Sequence, residues 1–321
     1  MTVQTITPGR WQGLKRTSAE GDIFTIVAFD QRGTYRRMLP EGTSYETAVE
    51  IKSEVVGALS RGASAVLLDN EYGLLPALYM SRTSGLLLAI EKSGYSGDAT
   101  YRRMEFEPEW TVEKIKRMGG TAVKLLAYYH PHTGELAEEI EDVIRQVAAE
   151  CHKHDLPIFL EPLAYSLDAN VSSTSAEFAV NKPQIVRETA QRLSKTGVDV
   201  LKMEFPVDVA HNSNRDEWRA ACEALSEVSD IPWVLLSAGV EFETFAEQTR
   251  IACEAGASGF LAGRAIWKEA VTMTPSAREN FLRETALPRL EKLNEIATQF
   301  GRSWTTFYHP PAAESGWYKS Y

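Results

Sequence analysis

Short runs rich in branched aliphatic residues recur along the chain, and longer stretches separate them in which apolar residues return at every third or fourth position. The runs are DIFTIVAFD (22–30), ASAVLLD (63–69), GLLLAIE (85–91), TAVKLLAYY (121–129), LPIFLEPL (156–163), VDVLKMEF (198–205), IPWVLLSAG (231–239) and ASGFLAGR (257–264). Their length and near-continuous apolarity predict strands covered on both faces. Intervening stretches such as YETAVEIKSEVVGALSRGA, ELAEEIEDVIRQVAAECHKHD and FETFAEQTRIACEAGA predict amphipathic helices, often closed by glycine before the next strand. Eight strands in alternation with helices predict an α/β fold, a closed parallel (β/α)8 barrel with its helices outside. An open doubly wound sheet is the alternative. It usually carries a glycine-rich phosphate loop after the first strand, and FDQRGTYRRM does not match GxGxxG.

The alternation covers the chain, so residues 1–321 read as one barrel domain. The aromatic, proline-rich segment from about 302 to 321 is expected to lie across the surface or against a partner subunit. The serine-rich stretch SLDANVSSTSAEFAVNKPQ (166–184) is expected to be a mobile loop over the barrel mouth after the fifth strand.

Composition narrows the function classes. A formal net charge of -10 argues against a protein built to grip nucleic acid, while leaving room for an anionic small molecule in a locally cationic cleft. Three widely spaced cysteines, Cys151, Cys222 and Cys253, make neither a disulfide framework nor a thiolate metal site. No apolar run reaches the roughly 18 residues a membrane span needs, and the N-terminus lacks an apolar leader, so the expected compartment is the cytoplasm. A homo-oligomer is expected on the general prevalence of symmetric homomers.

In a (β/α)8 barrel the chemistry sits at the C-terminal ends of the strands. That filter selects Asp30, Lys124, Glu161, Lys202, Ser237 and Arg264. A lysine inside the strand-like run VDVLKMEF demands a reason, because a buried ammonium loses its hydration. Two lysines and a carboxylate in one enclosed site can leave one amine neutral and nucleophilic, with the carboxylate moving the protons of carbinolamine and iminium formation. The competing explanation is a structural salt bridge from Lys202 or Lys124 to Glu161 or Glu204. Small residues where the last two strands meet their helices, Gly239 and Gly263, together with Ser237 and Arg264, fit a phosphate or other oxyanion. His130, His132, His152 and His154 form no HExxH or three-histidine set at strand ends, so no metal is expected. The CHKH segment and the acidic EEIED segment read as solvated helix surface.

The stretches VAFDQRGTYRRM, LLDNEYGLLPAL, LLLAIEKSGY, AVKLLAYY, LPIFLEPLAY, VDVLKMEFP, LLSAGV and GASGFLAGRAIW occur in order over nearly the whole chain. This set resembles the Schiff-base (class I) tagatose 1,6-bisphosphate aldolases and the related sulfofructose-phosphate aldolases. The resemblance implies a (β/α)8 barrel in which Lys202 forms a Schiff base with a ketose phosphate and Glu161 shuttles protons. It also implies that Lys124 and Asp30 polarise and orient substrate hydroxyls, with Gln31, Ser237, Gly239, Gly263 and Arg264 holding the substrate and its C1 phosphate. The implied reaction cleaves a ketohexose 1-phosphate to dihydroxyacetone phosphate and a three-carbon aldehyde, with no cofactor. The implied alternatives are a sulfofructose 1-phosphate aldolase or a transaldolase using the same lysine. A sugar-phosphate sensor without catalysis would show a broken Lys/Glu pair, and here both members are present. Arg32, Arg102 and Arg103 are candidates for reading the far end of a phosphorylated or sulfonated substrate, and Tyr321 invites comparison with aldolases whose terminal tyrosine moves protons.

Overall fold

In the computed structural model, which describes residues 3–92, 100–319 and 321, the eight hydrophobic runs form eight strands. They are β1 (Phe24–Phe29), β2 (Ala65–Leu68), β3 (Gly85–Ala89), β4 (Ala122–Tyr128), β5 (Ile158–Leu163), β6 (Val200–Met203), β7 (Trp233–Leu236) and β8 (Gly259–Ala262). Each strand pairs in parallel with the next, and β8 closes onto β1 with Phe24 opposite Gly259. The paired segments are shorter than the hydrophobic runs. Polar residues that end several runs, including Asp30 and Glu91, leave the ladder to line the mouth.

Successive side chains on a strand face opposite sides, so alternate residues fill the barrel. Phe24 meets Phe159 edge to face inside it, at 5.3 Å between ring centroids. Two residues further along the same inward rows come Ile26 and Glu161, and then Ala28 and Leu163, which line the mouth. The period of two therefore stacks an apolar plug beneath a polar layer.

The expected helices are present, including Tyr45–Leu59, Glu135–Lys153 and Phe242–Glu254. The serine-rich stretch is a loop only as far as Ser175, because the helix Ala176–Leu193 begins inside it. Its polar residues are turn and cap formers: Asp168 Oδ1 accepts from Asn170 N at 2.8 Å, and Ser175 Oγ accepts from Phe178 N at 3.2 Å as the helix N-cap. The EEIED segment is not uniformly solvated either. Glu141 is buried and accepts from Tyr129 Oη, Arg192 Nε and Arg145 Nη2 at 2.7, 2.7 and 3.0 Å.

The C-terminal segment corrects a further expectation. Trp304, Phe307 and Tyr308 are buried, and Tyr308–His309 pairs in parallel with Gln4–Thr5. Trp304 packs edge-on against Trp11 at 4.7 Å, so the first part of this segment joins the helix Pro8–Thr17 in a floor under the barrel. Gly13 of that helix lies so close to the starts of β4 and β5 that an added Cβ would fall 2.6 Å from Thr121 O and 2.5 Å from Pro157 Cδ. Tyr321 Oη donates to Asp155 Oδ2 at 2.7 Å and accepts from Gly9 N at 3.2 Å, which places it at this floor and away from the mouth. His152 is also tied here, with Nε2 3.2 Å from Asp199 Oδ2, while Arg10 holds the other oxygen.

The seam between β8 and β1 makes a strict demand on one residue. Gly259 has φ +119°, and an added Cβ would fall 2.0 Å from Phe24 O. Gly259→Ala should therefore cost about 3 kcal/mol or more, because both the backbone conformation and the close approach must give way. Denaturant unfolding of the two proteins checks this, and a loss below about 1 kcal/mol would show that the seam relaxes freely.

Candidate active site

Four ionisable residues selected from strand ends converge at the mouth. Lys124 on β4 is 1% exposed, and its Nζ lies 2.9 Å from each of three carboxylates: Asp30 Oδ2 after β1, Glu91 Oε1 after β3 and Glu161 Oε2 on β5. Lys202 on β6 is 4% exposed, and its Nζ lies 2.9 Å from the same Glu161 Oε2. Arg32 adds a third cation, with Nη2 3.5 Å from Glu91 Oε1. Three carboxylates thus face three cations in one buried cluster.

The electrostatics of the two lysines differ through their partners. Burial opposes a charge on Lys124, but Asp30, Glu161 and Glu91 more than reverse this and hold its pKa well above the ordinary lysine value. Burial likewise opposes ionisation of Asp30 and Glu161. The Lys124 and Lys202 ammoniums outweigh it, and both carboxyls are held below their usual range. Lys124 is therefore a fixed cation. Among the described residues Lys202 has one carboxylate in direct contact, which it shares, and Glu161 is ionised and within hydrogen-bond reach of its proton.

Glu91 was not singled out from the sequence. It ends the run GLLLAIE as Asp30 ends the first run, so the same strand-end filter applied to every run would have found it. Glu204, a possible partner for Lys202, turns elsewhere: it accepts from Ala164 N at 2.8 Å and lies 3.5 Å from Lys182 Nζ.

Two connected lobes open above the cluster. The larger, about 520 Å³, is lined by Asp30, Arg32, Thr34, Arg37, Lys92 and Tyr128 among others. The smaller, about 230 Å³, is lined by Lys202, Glu204, Ser237, Ala238, Gly263 and others. Gln31, Glu161, Leu163 and Arg264 line both, so Glu161 stands where they meet.

The expected oxyanion set gathers around the smaller lobe. Ala238 and Gly239 both have positive φ, +46° and +81°, which bends the chain sharply after β7. An added Cβ on Gly239 would lie 3.1 Å from Arg264 Cζ, so this glycine makes room for the guanidinium. The Gly263 N–H is already spent, donating to Ser237 Oγ at 3.2 Å, and that bond leaves the Ser237 hydroxyl proton available to a ligand. Arg264 meets no acceptor among the described residues, and Gln31 Oε1 is buried without a hydrogen-bond partner. Buried polar atoms are normally satisfied, so Gln31 Oε1 points to a polar ligand, and the half-buried Arg264 guanidinium lines the same two lobes.

The three arginines proposed for the far end separate. Arg32 is buried and committed, donating to Glu91 O at 2.8 Å and Asn70 Oδ1 at 3.1 Å. Arg103 is an exposed partner of Glu139 at 2.6 Å. Arg102 lies over the ring of Tyr128, at 4.3 Å from its centroid, beside the larger lobe. The end of the LLLAIEKSGY motif, residues 93–95, lies outside the described residues. Among the described residues, no helix is long and apolar enough to cross a membrane, and no group of three or more His, Cys, Asp or Glu residues is arranged to hold a metal ion.

Comparison with known proteins agrees with the barrel architecture. Solved structures with the same architecture include an archaeal fructose 1,6-bisphosphate aldolase, with TM-score 0.60, 19% identity and coverage of 90% of this chain and 98% of that one. Another is the fructose-bisphosphate aldolase of Plasmodium falciparum, with TM-score 0.66, 14% identity and coverage of 94% and 99%. At such identities they establish the barrel fold. Tagatose 1,6-diphosphate aldolase 2 of Streptococcus agalactiae serotype III is 36% identical over 313 residues, spanning 91% of this chain and 96% of its own. Tagatose 1,6-diphosphate aldolase of Lactococcus lactis subsp. lactis is 34% identical over 324 residues, spanning 94% and 98%. The family model for DeoC/LacD aldolases matches residues 24–269, the entire barrel from β1 past β8, and the chain belongs to the DeoC/LacD family of aldolases.

Proposed function

We propose that the protein is a Schiff-base aldolase that cleaves a ketohexose 1-phosphate, of the tagatose 1,6-bisphosphate type, between C3 and C4. The observation that carries this reading is the pair Lys202 Nζ and Glu161 Oε2, 2.9 Å apart where the two lobes meet, beside a second lysine locked in its charged form. The names of the relatives support the substrate class.

In this reading Glu161 takes a proton from Lys202, and the neutral amine adds to the C2 carbonyl. Glu161 returns a proton to the carbinolamine oxygen, water leaves, and an iminium remains. Glu161, ionised again, takes the C4 hydroxyl proton, and the C3–C4 bond breaks with its electron pair passing into the iminium. The three-carbon aldehyde departs and leaves an enamine. Protonation at C3 and hydrolysis then release dihydroxyacetone phosphate and restore the amine. Lys124 and Asp30 hold the substrate hydroxyls, while Ser237, Arg264 and Gln31 take the C1 phosphate side.

The far end of the substrate occupies the larger lobe, where Arg37 and Lys92 supply positive charge. Two cations suit a phosphate, with nearly two negative charges, better than a singly charged sulfonate. This favours the bisphosphate over a sulfofructose substrate.

Incubation with dihydroxyacetone phosphate and borohydride should place a stable mass label on Lys202, read by peptide mass spectrometry. Lys202→Arg should lose the label and about 10,000-fold or more of the cleavage rate. Label on Lys124 would reverse the two lysine roles, and unlabelled protein with EDTA-sensitive cleavage would overturn the mechanism.

The Arg37→Ala/Lys92→Ala double variant should lose about 10- to 100-fold in kcat/KM for tagatose 1,6-bisphosphate and little for a ketohexose 1-phosphate without the second phosphate, as expected when charged hydrogen bonds are removed. Equal losses on both substrates would remove the far-end assignment. Preferential cleavage of sulfofructose 1-phosphate by the unmodified protein would reassign the substrate.

A further inference from the structure

One buried lysine takes no part in the reaction outlined above. Lys52, on the inner face of the helix Tyr45–Leu59, is fully buried, and its Nζ is paired with Asp69 Oδ2, which is equally buried. The same ammonium donates to Phe29 O at 2.8 Å and to Gln31 O at 3.2 Å. These are the carbonyls of the residues on either side of Asp30. The rings of Phe29, Tyr35 and Tyr72 surround it, at 4.5, 5.1 and 5.4 Å from Nζ to the centroids.

Asp30 is thus held from two sides. Its carboxylate reaches into the barrel to Lys124, while its flanking carbonyls turn outward to Lys52. Asp69 extends the arrangement: its Oδ1 accepts from Glu71 N at 2.9 Å and Tyr72 N at 2.7 Å, which closes the turn after β2. Asn70 in that turn accepts from Arg32, and Arg32 holds Glu91, the second carboxylate on Lys124. A continuous set of bonds therefore runs from the Lys52–Asp69 pair to two of the three anions around Lys124.

An apolar pair of similar volume would fill this space without the cost of burying two charges. It would not hold two carbonyls at a strand end. We infer that Lys52, with Asp69, is a positioning group: it sets the backbone of residues 29–32 so that Asp30 meets Lys124 and Gln31 reaches the substrate cavity. The inference rests on the proposed Schiff-base reading.

The test separates Schiff-base formation from carbon–carbon cleavage in the double variant Lys52→Met/Asp69→Asn, which leaves no orphaned buried charge. Dihydroxyacetone phosphate has no C4 hydroxyl, so at saturating dihydroxyacetone phosphate, where a weakened Gln31 contact no longer limits binding, its borohydride trapping on Lys202 should stay within about twofold of the unmodified protein. The kcat for cleavage should fall about 10- to 100-fold, the scale expected when a reacting arrangement shifts by about 1 Å. Cleavage unchanged in a folded variant, or cleavage and trapping falling together in step with the folded fraction, would overturn the positioning role and leave a structural one. If the double variant does not fold, Lys52→Arg carries the same comparison, since it keeps the charge against Asp69 but puts a wider planar group against the two carbonyls. Unmodified protein that traps nothing on Lys202 would sink the parent reading and this inference with it, whereas a trapped parent with an unaffected variant sinks this inference alone.

Discussion

The mouth of the barrel is organised around one buried ammonium. Lys124 leaves water entirely, and a lone charge there would be prohibitive. Three carboxylates, delivered by the ends of β1, β3 and β5, meet it at hydrogen-bond distance. Because these strands lie on both sides of β4, the cation fixes the relative height of much of the rim, and the rim in turn determines the cavity. The same constraint divides the labour between the lysines. Glu161 spends one oxygen on both Nζ atoms, so Lys124 keeps two further anions while Lys202, among the described residues, pairs with that shared oxygen alone.

That asymmetry suits the chemistry proposed for the site. A protonated Schiff base carries the same single positive charge as the ammonium it replaces, so the balance of three anions and three cations survives when Lys202 becomes an iminium. The cluster need not reorganise around the new charge, which is the sense in which a prearranged polar site favours a reaction. Around it, Arg264 and Gln31 Oε1, which meet no protein partner among the described residues, face the cavity. The opposite end of the barrel shows the converse. There Arg10, His152, Asp199 and the aromatic groups of the N- and C-terminal segments satisfy one another, as expected of a face that supports the fold.

Much of this was legible in the sequence because a strand makes its geometry visible in its own letters. The eight runs located the strands, and charged residues inside or at the end of those apolar runs singled out Asp30, Lys124, Glu161 and Lys202 as candidates that the fold brings together. What was hidden depended on contacts between elements. In the helix Tyr45–Leu59, Lys52 looks like any lysine of an amphipathic pattern, and only the approach of β1 and the turn after β2 makes it interior. Glu141 was read as solvent-facing for the same reason, since its three partners lie partly on another helix and beyond β4. The tail misled differently: its prolines and aromatics suggested a loose surface segment, yet Trp304 and Tyr308 are core residues with partners in the first 18 residues of the chain.

The two interior lysines address a difficulty particular to residues at strand ends. A residue such as Asp30 must leave the ladder to reach a substrate, and in leaving it gives up the hydrogen bonds that would fix its backbone. Lys124 alone would hold the carboxylate and leave the peptide on either side free to pivot. Lys52 supplies the missing restraint from outside the barrel, with a charge strong enough to hold two carbonyls and an anion, Asp69, that keeps the charge affordable in an apolar setting. The aromatic rings around it exclude competing water and add their own attraction to the cation. A loop freed from the sheet by the needs of chemistry is thereby made nearly as well determined as the strand it follows.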